Sequence, residues 1–420
     1  MLDKSFSFIL AYPTDIVTKI LDHLSPSSEA VVLDPFCGTG TTLVECKRKK
    51  LASFGIEANP VCVLAARAKT RWMVDDVLAG KALTKILSAA KRHYTAVDNR
   101  YPHANQFLFA PEVRGLSTFS SVHNSGIMKR GWIGRRAAVM ALALVHEILR
   151  IEQPSIREML LAPLLGALVP EFGNVKYGPE LYKYRVAKKS FNGFEVYRDR
   201  AEHFIDEIKK HRKLYGASRS RVIYGSAISP QTLSKLPPKI DFVITSPPYP
   251  AEHDYSRMTR LELAFGGFLA GEGYLERIKR EMIPSSSKNC YVDQDFFKHV
   301  ETVSAVKRLR DRVLKESRNR DHGFARVYPR LVGNYFGAMY LHLRYLSHHL
   351  RKGARCAYVL GDQSSFFSIR IRTAHLLAKI IETRRLGYKV DGIETWRVRR
   401  ATTGSGTKQI PERILYLTRQ

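Results

Sequence analysis

The fold is decided by an apolar run that ends on a corner fixed by two prolines, Asp241-Phe242-Val243-Ile244-Thr245-Ser246-Pro247-Pro248-Tyr249. Phe242, Val243 and Ile244 are typical of a central strand of a parallel sheet. Consecutive prolines have a fixed φ and no N–H, so strand pairing must end at them. The stretch therefore predicts a buried strand with a ligand site at its carboxyl end. Carbonyl oxygens beside the ring of Tyr249 suit a planar base that carries an amino group, although Ser and Pro are also ordinary turn residues.

A second apolar run lies far upstream and leads into a glycine turn, Val31-Val32-Leu33-Asp34-Pro35-Phe36-Cys37-Gly38-Thr39-Gly40-Thr41. Glycines let the backbone approach a ligand closely, and the helical pattern that follows offers N–H donors and a positive dipole end. The next strand pattern, 53–56, ends in Glu57, which is 17 positions after Gly40 (57 − 40 = 17). An acidic residue at about that distance is the usual partner of a ribose hydroxyl pair.

Neither common nucleotide fingerprint fits this turn in full. Leu43 stands where a dinucleotide loop has its third glycine, and no Gly-Lys-Ser/Thr follows as in a phosphate-binding loop. The predicted ligand therefore has a ribose and need not have a pyrophosphate.

Together the two elements resemble the motifs of the amino-methyltransferase family, whose members transfer a methyl group from S-adenosylmethionine to exocyclic amines of nucleic acids. The resemblance implies a class I methyltransferase-like (Rossmann-like) α/β fold and no metal. It implies cofactor binding by Asp34, Phe36, Gly38, Gly40, Thr41 and Glu57, and a catalytic role for Ser246, Pro247, Pro248 and Tyr249. A core role for Phe36 is the alternative. Within the family, Ser-Pro-Pro-Tyr is commonest among cytosine-N4 enzymes, whereas adenine-N6 enzymes more often carry Asp or Asn at the position of Ser246.

The chemistry of an exocyclic amine explains these residue types. Its lone pair is conjugated with the ring, so oxygen acceptors on its N–H bonds are needed as positive charge develops on nitrogen. We assign these acceptors to the Ser246 side chain and the Pro247 carbonyl. Tyr249 would stack on a base flipped out of the helix. Transfer is then a direct displacement without a covalent intermediate, and Cys37 is interpreted as a packing residue.

The composition points to a nucleic-acid substrate. The 420 residues include 68 Lys and Arg against 39 Asp and Glu, for a net charge of +29, and 45% are hydrophobic. Charge of this size, spread along a chain with a full core, is the footprint of a phosphate-binding surface. The alternative is a basic surface kept for solubility. We expect double-stranded DNA as the partner.

The cysteines and the apolar stretches indicate the expected cellular location. The five cysteines have no paired metal spacing, and the apolar stretches 137–145 and 160–169 are too short to span a bilayer. We interpret those stretches as core helices. The expected location is the cytoplasm, in a prokaryotic cytosol or nucleoid.

The spacing of the two motifs predicts the domain organisation. They are 211 positions apart (245 − 34 = 211), more than a bare α/β sheet requires between its first and fourth strands. We predict a methyltransferase domain in two parts, 1–70 and 216–420, around an inserted, largely helical, basic region at 71–215 for target recognition. The second part would contain a basic insertion at about 270–330 and end in an antiparallel edge hairpin.

Several local patterns give further expectations. Thr14 is a candidate N-cap of a helix in the segment before the cofactor turn. Ser226 stands where the family often has an Asp that holds the cofactor adenine. The segment 173–185 interleaves Tyr with Lys and Arg, typical of a nucleic-acid contact or of an exposed structural loop. Candidate helices lie near 80–95, 137–150 and 196–213, and the last strands near 389–397 and 412–418, with a flexible basic loop at 399–408.

The predicted function is site-specific methylation of cytosine N4 in DNA, for restriction-modification or epigenetic marking. The alternatives are an adenine-N6 DNA methyltransferase, an RNA base amino-methyltransferase and a non-catalytic nucleic-acid-binding protein. Similar RNA guanine-N2 enzymes tend to carry Asp-Pro-Pro-Tyr-Gly and an N-terminal RNA-binding domain, whereas here Pro250 follows Tyr249 and the cofactor motif begins by residue 31. A cognate restriction endonuclease is a candidate partner. The sequence predicts neither the recognition site nor the oligomeric state.

Overall fold

The structure is a computed structural model that describes residues 13–101, 110–178, 181–185, 192–251, 254–318, 320, 323–403 and 406–420, with the backbone alone described in 401–403 and 406–408. The strands of its main sheet are β1 (Val31–Asp34), β2 (Ala52–Glu57), β5 (Ser220–Tyr224), β6 (Ile240–Thr245), β7 (Leu350–Gly361), β8 (Tyr388–Thr403) and β9 (Gly406–Arg419), and a separate pair consists of β3 (Val175–Lys176) and β4 (Tyr182–Lys183). The helices are α1 (Thr14–Leu24), α2 (Thr41–Arg48), α3 (Pro60–Thr70), α4 (Asp76–Arg100), α5 (Pro111–Arg114), α6 (Phe119–Asn124), α7 (Arg135–Leu149), α8 (Pro154–Ala167), α9 (Gly193–Tyr215), α10 (Pro230–Leu233), α11 (Tyr255–Met258), α12 (Arg260–Phe265), α13 (Tyr274–Glu281), α14 (Ser304–Arg318), α15 (Tyr328–Leu346) and α16 (Thr373–Arg384).

The main sheet has the order β5-β2-β1-β6-β7-β9-β8. The pairs from β5 to β7 are parallel, and β9 pairs antiparallel with both β7 and β8. This arrangement confirms the predicted class I methyltransferase-like fold, a mostly parallel sheet with an antiparallel edge hairpin.

The two motif strands are neighbours at the centre of the sheet. Val32 and Leu33 of β1 pair with Phe242 and Val243 of β6. The chain leaves β1 toward β2 on one side, while β6 lies on the other side, so the crevice between them is a topological switch point. The glycine turn and the proline corner therefore emerge side by side, although 211 positions separate them (245 − 34 = 211).

The edge hairpin is longer than predicted. Strand β9 pairs with β7 only as far as Gly361 and Glu412, but β8 and β9 stay paired with each other to Thr403 and Gly406. The expectation of a flexible loop over 399–408 was therefore wrong for the described backbone, because the cross-strand pairing of β8 and β9 does not need β7. The hairpin extends as a two-stranded ribbon past the carboxyl end of β7.

The described part of the region between β2 and β5 is largely helical, as expected, apart from the short strands β3 and β4. The candidate helices at 80–95, 137–150 and 196–213 correspond to α4, α7 and α9. Helices α7 and α8 are buried along most of their length, which confirms their interpretation as core helices. These helices share one hydrophobic cluster with α3 and α12. The domain bounds of 71–215 for this insertion remain a prediction.

The predicted cap of α1 was wrong. Pro13 holds the N-cap position, with φ −66° and ψ 154° and no side-chain capping bond, and Thr14 is the first helical residue. The fixed φ of proline brings the chain out of an extended conformation directly into the helix. Residues 1–12 of the segment before the cofactor turn lie outside the described residues.

Two observations concern the surface. Helix α14 buries Val306, Val313 and Ser317, and its remaining charged residues are mostly basic, as in a solvated or phosphate-facing helix. Among the described residues, no helix is both long and apolar enough to cross a membrane.

Candidate active site

A cavity of about 350 Å³ lies at the carboxyl edge of the sheet, where β1, β2, β5 and β6 end. Both predicted motifs contribute to its wall. The predicted residues that line it are Phe36, Gly38, Thr41, Glu57, Ser246, Pro247, Pro248 and Tyr249. The other two, Asp34 and Gly40, lie behind this lining.

Each glycine of the turn has its own conformational reason. Gly38 has φ +51°, and a Cβ built there would meet no atom within 4 Å, so its backbone faces open space. Gly40 has φ +88°, and a Cβ there would approach the Cβ of Ala66 in α3 to 3.0 Å. The missing side chain of Gly38 thus leaves open space in the cavity. Gly40 lets α3 pack against the turn and forms the N-cap of α2.

Glu57 closes the turn from the end of β2. One carboxylate oxygen accepts the N–H of Gly38 at 2.9 Å and the other accepts the N–H of Asn59 at 2.7 Å. Burial raises the pKa of Glu57 to about 7, against the lowering effect of these N–H groups. A carboxylate oxygen has two lone pairs, so Glu57 keeps acceptor capacity toward the cavity.

Asp34 joins the two motifs beneath the cavity. Its side chain is fully buried, and Oδ1 accepts the hydroxyl of Thr245 at 2.6 Å and the N–H of Phe36 at 3.1 Å. Oδ2 accepts the hydroxyl of Thr42 at 2.5 Å. Asp34 therefore links the glycine turn and α2 to β6, and its direct contact with a cofactor remains a prediction.

The proline corner presents two hydroxyl groups together. Ser246 Oγ and Tyr249 Oη are 3.3 Å apart. The Tyr249 ring packs on the end of β7, where a Cβ on Gly361 would lie 2.7 Å from the ring. Burial raises the pKa of Tyr249 well above its usual range, so its phenol is neutral at physiological pH. Tyr249 can accept or donate a hydrogen bond there but cannot act as a base.

Sequence reasoning missed a charged group in the cavity wall that comes from the edge hairpin. Arg397 and Arg399 of β8 both pair with Glu412 of β9, with Arg399 Nε 2.7 Å from Oε1. The Arg399 guanidinium lies 5.9 Å from the centre of the Tyr249 ring. The signal was the spacing of the two arginines, since residues i and i+2 of a strand share a face. Tyr255, which also lines the cavity, had no signal beyond its nearness to Tyr249.

The wall opposite the catalytic corner is formed partly by the end of β5. Gly225 and Ala227 line the cavity, whereas Ser226 between them does not, and its buried hydroxyl has no hydrogen-bond partner in the described part of the chain. Phe36 both lines the cavity and packs edge-on against His342, with ring centres 4.9 Å apart. The cofactor role and the core role foreseen for Phe36 are therefore compatible in space.

Cys37 lies in the same wall and packs against Gly55 of β2, where a larger residue would not fit. A Cβ on Gly55 would lie 2.7 Å from Cys37 Sγ. Burial raises the pKa of the Cys37 thiol well above its usual range, with the charges of Asp34 and Glu57 acting in the same direction. A neutral thiol is a poor nucleophile, which agrees with the interpretation of Cys37 as a packing residue.

The tyrosine-rich segment 173–185 lies partly on the surface and partly inside. Its strands β3 and β4 pair antiparallel. Tyr177 points inward and donates to Glu262 at 3.1 Å, whereas Lys176, Lys183 and Arg185 are exposed. The exposed members fit either of the two predicted roles.

A group of possible metal ligands occurs away from the cavity. His93, His146 and Glu147, on α4 and α7, bring one ligand atom each within 4.8 Å of the others. None of the three lines the candidate active site. The two histidines are far apart in the sequence, so motifs based on short ligand spacings do not detect this group.

Comparisons with known proteins show similarity to methyltransferases. A family model of the N6/N4 methyltransferase type, described as DNA methylase, matches residues 4–67. The chain is similar to Type II methyltransferase M.AvaI of Nostoc sp., with 22% identity over 416 residues that cover 92% of this chain and 79% of that protein. A protein of the same name from Anabaena variabilis matches with the same identity and coverage.

Two solved structures are also similar over most of the chain. TrmN from Thermus thermophilus aligns with a TM-score of 0.32 and 10% identity, covering 100% of this chain and 52% of that one, so the chain spans about half the length of TrmN. The rRNA methyltransferase aviRa from Streptomyces viridochromogenes aligns with a TM-score of 0.29 and 12% identity, covering 96% of this chain and 85% of the other.

Proposed function

We propose that this protein transfers a methyl group from S-adenosylmethionine to the exocyclic N4 amine of a cytosine flipped out of duplex DNA. The observation that carries the proposal is that the cofactor turn and the proline corner form two walls of one cavity, tied together by the Thr245–Asp34 hydrogen bond of 2.6 Å. The DNA methylase family match and the similarity to a Type II methyltransferase support DNA amino-methylation. The choice of cytosine N4 rests on the Ser-Pro-Pro-Tyr form of the corner.

The cavity fits a nucleoside cofactor. Its volume of about 350 Å³ is within the range of small-molecule sites. The bare backbone of Gly38 leaves room beside the turn, and Glu57 offers an acceptor to a ribose hydroxyl pair. Phe36 would pack on the cofactor, and Thr41, which also lines the cavity, is the first residue of α2, whose N-cap Gly40 offers no side-chain capping bond. When bound, S-adenosylmethionine would supply an activated methyl group on its sulfonium.

The proline corner would prepare the amine for attack. Ser246 Oγ and the Pro247 carbonyl would accept the two N–H bonds, and their fixed geometry would stabilise the positive charge that develops on nitrogen. Tyr249 would hold the ring of the base by stacking, and as a neutral phenol it would leave the charge balance of the site unchanged. Transfer would be a direct displacement at the sulfonium methyl, and the buried Cys37 thiol, with its raised pKa, would not act as a nucleophile.

The basic surface would hold the DNA while the base is in the cavity. A net charge of +29 provides phosphate contacts over a wide area. A stacked amine cannot reach a cavity at the sheet edge, so the target nucleotide must leave the helix. The proposal also includes target recognition by the helical insertion, a cytosolic location and a restriction endonuclease that acts on the same site.

The decisive experiment uses isotope-labelled cofactor and mass spectrometry of nucleosides from treated DNA and RNA. Label in N4-methylcytosine supports the proposal in full. Label in N6-methyladenine would keep the mechanism and overturn the choice of base. Label confined to RNA would overturn the DNA substrate, and absence of label from every nucleoside, with the folded protein bound to DNA, would favour a binding role alone.

A further inference from the structure

A second, smaller cavity of about 160 Å³ lies between the helical insertion and the segment that follows the proline corner. One side comes from the insertion and includes Ser125, Arg130 and Trp132. The other side comes from the segment after the corner and consists of Asp254, Arg257, Arg260, Lys279 and Lys288.

The charge of this cavity is strongly one-sided. Its described lining has five cationic side chains and one carboxylate, a balance of +4 (5 − 1 = 4). The carboxylate of Asp254 already pairs with Lys279 at 2.9 Å, in side chains that are 5% and 12% exposed. Burial lowers the pKa of Arg260; the neighbouring charges of Arg130 and Arg257 lower it further, while the charge of Asp254 raises it. A bound anion would reduce the repulsion among these arginines.

The side chains are held in place before any ligand arrives. Asp254 caps α11 by accepting the N–H groups of Ser256 and Arg257 at 3.1 and 3.2 Å. Arg260 donates to the backbone carbonyl of Ser125 at 3.4 Å, across the boundary between the insertion and the sheet domain. Planar guanidinium groups in a fixed arrangement are suited to bidentate contacts with phosphate.

The cavity is next to the candidate active site along two separate pieces of chain. Tyr255 lines the active-site cavity, and Arg257, two positions later, lines the small one. Lys279 lines the small cavity, and Glu281, two positions later, lines the active-site cavity. An anion in the small cavity would therefore lie beside whatever enters the active site.

We propose that this small cavity binds a backbone phosphate of the DNA strand that carries the target nucleotide, an inference that rests on the proposed function. Flipping turns a nucleotide about its backbone, so a fixed phosphate beside it sets where the base arrives. The cavity also joins the insertion to the catalytic segment, so one bound phosphate would couple DNA docking to the position of the proline corner.

The test compares two double variants with the same change of charge. Arg130→Gln with Lys288→Gln alters the small cavity, at side chains that are not deeply buried. Arg92→Gln with Arg150→Gln is the control, because these arginines, on α4 and at the C-cap of α7, line a different depression. Affinity for duplex DNA is measured by fluorescence anisotropy over a range of salt concentrations, without cofactor and without turnover. Thermal melting checks that both variants are folded.

A lost phosphate contact should lower the slope of log affinity against log salt by about 0.9 in the cavity variant and leave the control unchanged. Equal changes in both variants, or none in the cavity variant, would overturn the site in favour of a diffuse basic surface. A change seen with duplex RNA and absent with DNA would overturn the choice of nucleic acid.

A chemical test uses DNA with single uncharged methylphosphonate linkages on either side of the methylated base. One linkage should weaken binding by the wild type about as much as the cavity variant does, and should have no further effect on that variant. Additive losses would overturn the pairing of that phosphate with this cavity. Failure of the wild type to methylate any DNA would overturn the proposed function, whereas the phosphate site is judged by DNA binding, through the salt comparison and the methylphosphonate comparison.

Discussion

The hydrogen bonds of Asp34 allow the link between the two walls of the active site to be tested apart from stability. Thr245→Val removes the hydroxyl that reaches Asp34 from the catalytic strand at 2.6 Å, and Thr42→Val removes the one that reaches it from α2 at 2.5 Å. All three residues are at most 1% exposed. Valine keeps the shape of threonine, so each variant loses chiefly one hydrogen bond to a buried carboxylate.

The two variants should have similar stability and different activity. A hydrogen bond to a charged group contributes about 1.5–3 kcal/mol, so each should lower the free energy of unfolding by about 2 kcal/mol. Only Thr245→Val separates the proline corner from the cofactor turn. A displacement of reacting groups by about 1 Å can cost on the order of a hundredfold in rate, so we expect a fall in turnover between tenfold and a hundredfold.

The assays are urea unfolding, calorimetric binding of S-adenosylmethionine and methyl transfer to DNA at saturating cofactor. Thr42→Val is the matched control, because its lost bond lies within the cofactor half of the site. Equal turnover in the two variants would refute the idea that the Asp34–Thr245 bond sets the relative position of the walls. Equal turnover with unequal stability would assign Thr245 a purely structural role.

Three further predictions follow. Cofactor affinity should rise between about pH 6 and 8, because Glu57, with its pKa raised to about 7, loses its proton and becomes a better acceptor. In Glu57→Ala, cofactor affinity should fall by about tenfold or more and lose this pH dependence. An unchanged affinity by calorimetry would remove Glu57 from the site. Ser246→Ala should lower turnover with little change in cofactor affinity, since its oxygen acts as charge develops on the amine; parallel losses in both would assign it to ground-state binding. Affinity for duplex DNA should fall steeply with salt, and replacing Lys176, Lys183 and Arg185 together by Gln should flatten that dependence; no change would make 173–185 an exposed structural loop.

The raised pKa of Glu57 also fixes the sign of its effect on stability. In the folded protein it keeps its proton up to about pH 7, whereas in the unfolded chain it loses it near 4.5. Between these values the folded state binds more protons than the unfolded state, so this group lowers the stability as the pH rises. Bound cofactor would offset that loss by giving the charged carboxylate a hydrogen-bond partner.

The two central strands of the sheet could be predicted from the sequence, because the local residue patterns there agree with the tertiary arrangement. The apolar runs before Asp34 and Ser246, and the residues that stop them, are enough to predict two buried strands whose carboxyl ends meet. The spacing from Gly40 to Glu57 likewise predicted an acidic residue beside the glycine turn. In the structure Glu57 accepts the N–H of Gly38.

Sequence reasoning was weaker where a role depends on packing against a distant element. Asp34 belongs to the cofactor motif by its position, yet its carboxylate faces Thr245 and Thr42 because β1 is flanked by β6 and covered by α2. The reach of the edge hairpin depends on pairing between two strands of which one was expected to end near residue 397. No local pattern shows that pairing continues where β7 stops.

The residues of the edge hairpin that were not predicted from the sequence affect the proposed mechanism. Glu412 is 4% exposed and pairs with Arg397 and Arg399, so two positive charges and one negative charge lie in the wall next to Tyr249. A neutral base could enter beside them with little electrostatic cost, whereas a second carboxylate at the corner would be drawn to Arg399. A serine at position 246 leaves this ion-pair group undisturbed, so the hairpin and the neutral corner are mutually consistent. The chemistry of the corner thus depends on two residues of β8, Arg397 and Arg399, which come 151 and 153 positions after Ser246 (397 − 246 = 151; 399 − 246 = 153).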